Sequence, residues 1–134
     1  MGVALDSTLF IDIVRGRAAA LRKLDEIESR PELKVIPTPV VYEISAGILR
    51  ARSRTQEVLF RNWIARFQVA PLDLSSAESA ALLRAELLDL GRIKPTGDIL
   101  TAGIALSGGH ALVTRDVDFR EISKATGLRV ESYD

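Results

Sequence analysis

Ala111-Leu112-Val113-Thr114-Arg115-Asp116-Val117-Asp118-Phe119 is the stretch that decides the fold. Its first four residues open on a short apolar run, Ala111-Leu112-Val113, too short for a buried helix, and they read as a buried strand. The chain then leaves that strand on an acid, Asp116, with Asp118 two residues on. The N-terminus repeats the arrangement, with Val3-Ala4-Leu5 as a strand that ends at Asp6. In parallel α/β sheets the carboxyl ends of the strands are where ligands bind, so the acids at these two strand ends are candidate site residues.

Working outward, residues 8–14 and 18–28 read as helices, the second with Leu21, Leu24 and Ile27 at helical spacing. Val35-Ile36 is a second strand. Thr38-Pro39 reads as an N-cap with proline at the first helical position, opening a helix with Val41, Ile44 and Ile48 on one face. Residues 56–68 place Phe60, Trp63, Ile64 and Phe67 on one helical stripe, read as core with a share for a partner. Val69-Ala70-Pro71-Leu72 suits an edge strand. Ser75 or Ser76 caps a helix to about Leu90, and Thr96-Gly97-Asp98 opens another through Leu106. A short helix over 117–124 and a strand over 129–131 complete the pattern. Short strands alternating with helices predict an α/β fold, a three-layer α/β/α sandwich with a mostly parallel central sheet.

Composition narrows the chemistry. With 134 residues, one domain spanning 1–134 is expected. Zero cysteines exclude a thiol nucleophile or thiolate zinc site, and the single histidine, His110, excludes a multi-histidine metal site. Eighteen basic residues balance eighteen acidic ones, so net charge names no partner. No apolar run is long enough to span a membrane, and no basic region followed by an apolar run marks a signal peptide; a cytoplasmic protein is expected.

Two further acids stand out: Asp98 in the first turn of a helix, and Glu43 one turn into another. Taken singly, each acid has a plain structural role. Asp98 can complement a helix dipole, Asp6 can cap the next helix, Glu43 can be solvated, and Asp116 and Asp118 suit a turn. Taken together, they form a carboxylate cluster if the two strand ends are neighbours. Unit charges about 6 Å apart repel by about 3 kcal/mol per pair at an effective dielectric near 20, so a cluster calls for protons or a cation. Oxygen-only ligands suit Mg²⁺ or Mn²⁺, and such an ion is equipment for hydrolysing a phosphodiester. At a helix N-terminus Asp98 is expected to ionise easily.

Four pieces in order complete the reading: Leu5-Asp6-Ser7-Thr8, Val41-Tyr42-Glu43-Ile44, Thr96-Gly97-Asp98-Ile99-Leu100-Thr101-Ala102, and Leu112 through Phe119. With these the chain resembles the PIN-domain ribonucleases, and within them the VapC-type toxins of prokaryotic toxin–antitoxin pairs. The resemblance implies a metal-dependent endoribonuclease of RNA. By position it makes Asp6, Glu43, Asp98 and Asp116 the catalytic acidic quartet and, with Asp118 as a fifth acid, the metal ligands. Ser7 and Thr114 match supporting hydroxyl residues. Arg115 stands where many relatives carry asparagine. The resemblance further implies a VapB-like antitoxin partner and a homodimer. A housekeeping PIN nuclease in RNA processing and a non-catalytic partner-binding domain are the alternatives. A phospho-acceptor receiver is disfavoured, because Asp6 is followed by Ser7-Thr8 rather than by a second acid.

Arg50, Arg52, Arg54, Arg61 and Arg66 share a seventeen-residue stretch with a single acid, Glu57. That local excess can grip RNA phosphates or be a solvated face. Arg50, Arg52 and Arg54, with Arg115 beside the acids, are the candidate RNA contacts.

Overall fold

A computed structural model describes residues 2–134. Strand β1, Gly2–Leu5, is buried along its whole length. It leads into helices α1, Ser7–Val14, and α2, Ala18–Ser29. Strand β2, Leu33–Pro37, is followed by α3, Thr38–Ala51, and α4, Arg54–Arg66. Strand β3, Gln68–Ala70, precedes α5, Leu74–Asp89, and α6, Thr96–Ser107. Strand β4, Ala111–Val113, then α7, Val117–Ala125, and β5, Val130–Glu131, finish the chain.

The strands line up as β3-β2-β1-β4-β5 and every pair is parallel. Alternation along the strands divides the core in two. Val3, Leu5, Ile36 and Val113 face α1–α4, while Ala4, Val35 and Leu112 face α5–α7. A sheet apolar on both faces must be covered on both, which is the three-layer sandwich expected. The chain steps outward from β1 to β2 and β3, then crosses to β4 on the other side of β1. Leu5 pairs with Val113 in register, so the next residues of both strands emerge together at the point where the winding reverses.

Local chemistry moved several boundaries. The cap of α5 is Asp73 rather than Ser75 or Ser76. Asp73 Oδ1 accepts from the Ser76 backbone N–H at 2.9 Å, and Ser76 Oγ accepts from the Asp73 N–H at 2.8 Å. Thr38 is the first residue of α3, not its cap. Its Oγ1 accepts from the Leu72 N–H at 3.2 Å, tying α3 to the segment after β3. Helix α4 begins earlier than its aromatic stripe, because Ser53 caps it through the Gln56 N–H. It stops at Arg66, where Phe67 turns extended.

Phe60, Trp63 and Phe67 are core as expected, while Ile64 stays 37% exposed. Phe10 stands edge-to-face with Phe60 and Trp63 at centroid distances of 5.1 and 5.2 Å. On the other layer α5 and α6 approach closely at Gly103, where an added Cβ would stand 2.6 Å from Ala80 Cβ and 2.7 Å from the Ser76 carbonyl oxygen.

Candidate active site

Asp6 is the residue next after β1, and its side chain is buried. It occupies the N-cap position of α1 without using its carboxylate as a cap, so its capping role falls away. Instead Oδ2 accepts from Thr114 Oγ1 at 2.7 Å and from Thr8 Oγ1 at 3.1 Å. Burial raises the Asp6 pKa against these hydrogen bonds and that from the Ser7 backbone, and the Glu43 charge raises it further.

Asp116 follows the β4 end and caps α7, accepting from the Asp118 N–H at 2.9 Å. Its own N–H donates to Thr114 Oγ1 at 3.0 Å. The fully buried Thr114 hydroxyl therefore links the acids of two adjacent strands. Asp98, from the first turn of α6, brings a carboxylate oxygen into a group with Asp116 and Asp118, all within 4.8 Å of one another. Glu43 projects from α3 and accepts from Ser7 Oγ. Asp6, Glu43 and Asp98 share the wall of one cavity of about 340 Å³, together with Tyr42, Gly97 and Thr101. Asp98 thus belongs both to the cavity wall and to the trio with Asp116 and Asp118.

The electrostatics correct one expectation. Asp98 does not ionise easily despite its place at a helix N-terminus. Burial pushes its pKa up to about 7, and the Asp116, Asp6, Asp118 and Glu43 charges add to it. A helix dipole contributes about 0.3–1 kcal/mol, too little against burial and four neighbouring acids. The donor set is all oxygen, anionic and crowded, which fits a hard divalent cation whose charge would reverse that shift.

Arg115, expected as an RNA contact, is also a structural residue. Its guanidinium grips Asp12 of α1 through two hydrogen bonds of 2.9 and 3.3 Å. Asp12 is only 2% exposed and also accepts from the Tyr133 hydroxyl at 2.7 Å. Burial pushes the Asp12 carboxyl up, but the bonds from Arg115 and Tyr133 outweigh it and hold the pKa below the usual range. A buried acid needs this counter-charge, and Arg115 supplies it through Nε and Nη2 while its side chain stays 33% exposed. Sequence reasoning did not single out Asp12, nor Thr8, whose hydroxyl two positions after Asp6 was a readable sign. It also did not connect Lys94 to the acids, although its amine donates to Asp118 and Glu121; a lysine four residues before Asp98 was its only signal.

The basic stretch divides. Arg61 pairs with Glu57 at 3.4 Å and Arg66 with Glu28. Arg50, Arg52 and Arg54 are exposed at the α3–α4 junction and make no ion pair among the described residues. The seven helical steps from Glu43 to Arg50 span about 10 Å.

Residues 3–125 match the family model described as PIN domain. Among solved structures, the chain superposes on one from VapBC2 of Rickettsia felis bound to a promoter DNA fragment, at TM-score 0.85 and 20% identity over 100% of both chains. It superposes on one from DNA-bound VapBC of Salmonella typhimurium at TM-score 0.80 and 24% identity over 98% of both. One from VapBC-5 of Mycobacterium tuberculosis gives 0.78 and 24% over 98% of both. These likenesses establish the fold. No curated protein matches the chain. No helix among the described residues is long and apolar enough to cross a membrane.

Proposed function

This chain belongs to the PIN-domain family, and we propose that it is a metal-dependent endoribonuclease, the toxin of a VapBC-type toxin–antitoxin pair. The observation that carries the reading is the position of Asp98, shared between the Asp6–Glu43 cavity and the Asp116–Asp118 group. Crowded acids at the β1/β4 switch point are unfavourable in themselves and become useful around a cation.

Asp6, Glu43, Asp98 and Asp116 are the residues that would hold Mg²⁺ or Mn²⁺, with Asp118 as a fifth acid. Such an ion supplies an activated water and offsets charge on the leaving oxygen of a phosphodiester. The protein's own groups do the rest. Thr114 and Thr8 fix the Asp6 carboxylate, and Ser7 fixes Glu43. Glu43, exposed at the cavity rim, orients the attacking water and accepts its proton at a carboxylate oxygen. Arg50, Arg52 and Arg54 draw the RNA backbone toward that rim.

A VapB-like antitoxin is the assigned protein partner, with the chain itself a homodimer. Two observations support the antitoxin. The structures it superposes on come from VapBC complexes. A mixed groove whose lining includes Phe10, Ile11, Val14 and Ile44 together with Arg15, Glu43 and Gln56 shares Glu43 with the candidate site, a place where a docked segment would cover that site.

The test is cleavage of a mixed RNA pool by purified protein in Mg²⁺ or Mn²⁺ against excess EDTA, with Asp98→Asn in parallel. Metal-dependent cleavage that disappears in the variant is expected. A folded protein that binds no metal and cuts no RNA would remove the nuclease reading in favour of a partner-binding domain. Cleavage restricted to precursor RNAs, with no antitoxin reading frame adjacent, would favour the housekeeping nuclease.

A further inference from the structure

Lys94 lies in the link between α5 and α6, four residues before Asp98. Its side chain is only 9% exposed. Nζ donates to Asp118 Oδ1 at 3.0 Å and also to Glu121 of α7. Those two acids hold the Lys94 pKa above its ordinary value. Asp118 is the same carboxylate that meets Asp98 and Asp116, so the cluster already contains one covalently attached cation. The Pro95 that follows restricts the backbone around Lys94, which anchors the amine from one side while α7 anchors it from the other.

We propose that Lys94 is a built-in counter-cation that competes with the divalent ion for Asp118, leaving Asp116 as the standing ligand and Asp118 in reserve. The inference rests on the metal-dependent reading above and goes beyond it by assigning what sets the strength of ion binding. An ammonium engaged on Asp118 occupies one donor oxygen and repels any second cation brought close to it. Both effects weaken the hold on the ion. They also relieve the repulsion among Asp98, Asp116 and Asp118 when no ion is bound. A lysine that merely oriented Asp118 as a ligand would act with the opposite sign, since losing an orienting partner weakens a metal site.

The experiment is a calorimetric titration of the full chain with Mn²⁺ alone, without RNA. Lys94→Met is expected to bind Mn²⁺ about tenfold more tightly than wild type, the lower end of what partner residues around a ligand contribute. Lys94→Arg, which keeps the charge, is expected to restore wild-type affinity. The gain is expected to vanish when Asp118→Asn is added to Lys94→Met. Lys94→Gln reads the same quantity should the methionine variant fail to fold. Unchanged or weaker binding in a folded Lys94→Met protein overturns the proposal while leaving the nuclease reading intact. Absence of Mn²⁺ binding from every folded variant, wild type included, overturns both.

Discussion

Thr114 Oγ1 donates to Asp6 Oδ2 at 2.7 Å, joining two residues 108 positions apart in the chain. The same oxygen accepts from the Asp116 N–H at 3.0 Å, so one buried hydroxyl sets the relative placement of two acids. Thr114→Val keeps the shape and removes the hydroxyl, leaving a buried carboxylate oxygen and an N–H short of a partner. A stability loss of about 1–3 kcal/mol in urea denaturation is expected. Mn²⁺ affinity is expected to fall about 10- to 100-fold, with Thr114→Ser restoring most of both.

Removing an acid at the cavity acts on chemistry more than on folding. Asp98→Asn relieves repulsion among Asp98, Asp116 and Asp118 while weakening the ion site. RNA cleavage is expected to drop by at least about 10²-fold, the scale of losing one pre-organised electrostatic group. Thermal stability measured in EDTA is expected to stay level or rise. A cleavage rate within a few-fold of wild type would remove Asp98 from the reaction.

Asp98 and Asp6 both carry raised pKa values, Asp98 to about 7 from an ordinary 3.8. The folded state therefore holds protons that the unfolded chain releases. Stability from Asp98 is complete below about pH 4 and is lost as pH rises through 7, and Asp6 acts in the same direction. In EDTA, the melting temperature is expected to fall across this interval for wild type and to fall less for Asp98→Asn. With Mg²⁺ or Mn²⁺ present the slope is expected to flatten, since the ion binds the ionised form. Mn²⁺ affinity itself is expected to rise steeply toward pH 7 as Asp98 gives up its proton.

Arg115 is the counter-charge of the buried Asp12. Arg115→Ala strands a carboxylate that is 2% exposed, with the Tyr133 hydroxyl as its nearest remaining donor. A loss of about 3 kcal/mol in chemical denaturation is expected. Arg115→Lys is expected to recover only part of it, because an ammonium lacks the two-pronged fork.

Arg50, Arg52 and Arg54 are expected to behave in the opposite way, leaving folding untouched. Each change to alanine is expected to weaken RNA binding regardless of sequence and to reduce the salt slope of the affinity by about 1. Filter binding to a non-cleaved RNA between low and moderate salt measures this. An unchanged slope would make this face merely solvated.

Most of the fold was legible because its signals are local. The strand-then-acid pattern at Leu5-Asp6 and at Thr114-Asp116 placed two elements and the site together. Glycine, proline and hydroxyl residues marked most helix ends to within a few positions. The boundaries that moved were decided by partners: Thr38 spends its hydroxyl on Leu72, and Asp73 outcompetes the adjacent serines through a reciprocal bond with Ser76. What the sequence hid depends on which distant groups meet. Arg115 looked like a free charge beside the acids because nothing local shows that Asp12, more than a hundred residues earlier, lies buried against it. Asp98 looked easily ionised because its helix position is visible in sequence and its crowding is not. Lys94 could not be tied to the acids for the same reason, since its two acidic partners lie on a helix 24 or more residues downstream.

The neighbouring of β1 and β4 bears on synthesis as well as on catalysis. Asp6 is translated before Thr114 and Asp116, which follow more than a hundred codons later. Until β4 docks beside β1, Asp6 has no Thr114 to seat it, and the trio of Asp98, Asp116 and Asp118 does not exist. A nascent chain stalled before that point carries Asp6, Glu43 and Asp98 without an assembled site. Long-range pairing of this kind is also the slow part of folding. Under the nuclease reading proposed above, the order of the strands would work as a timer, because the acids of the site come together only after β4 has been made.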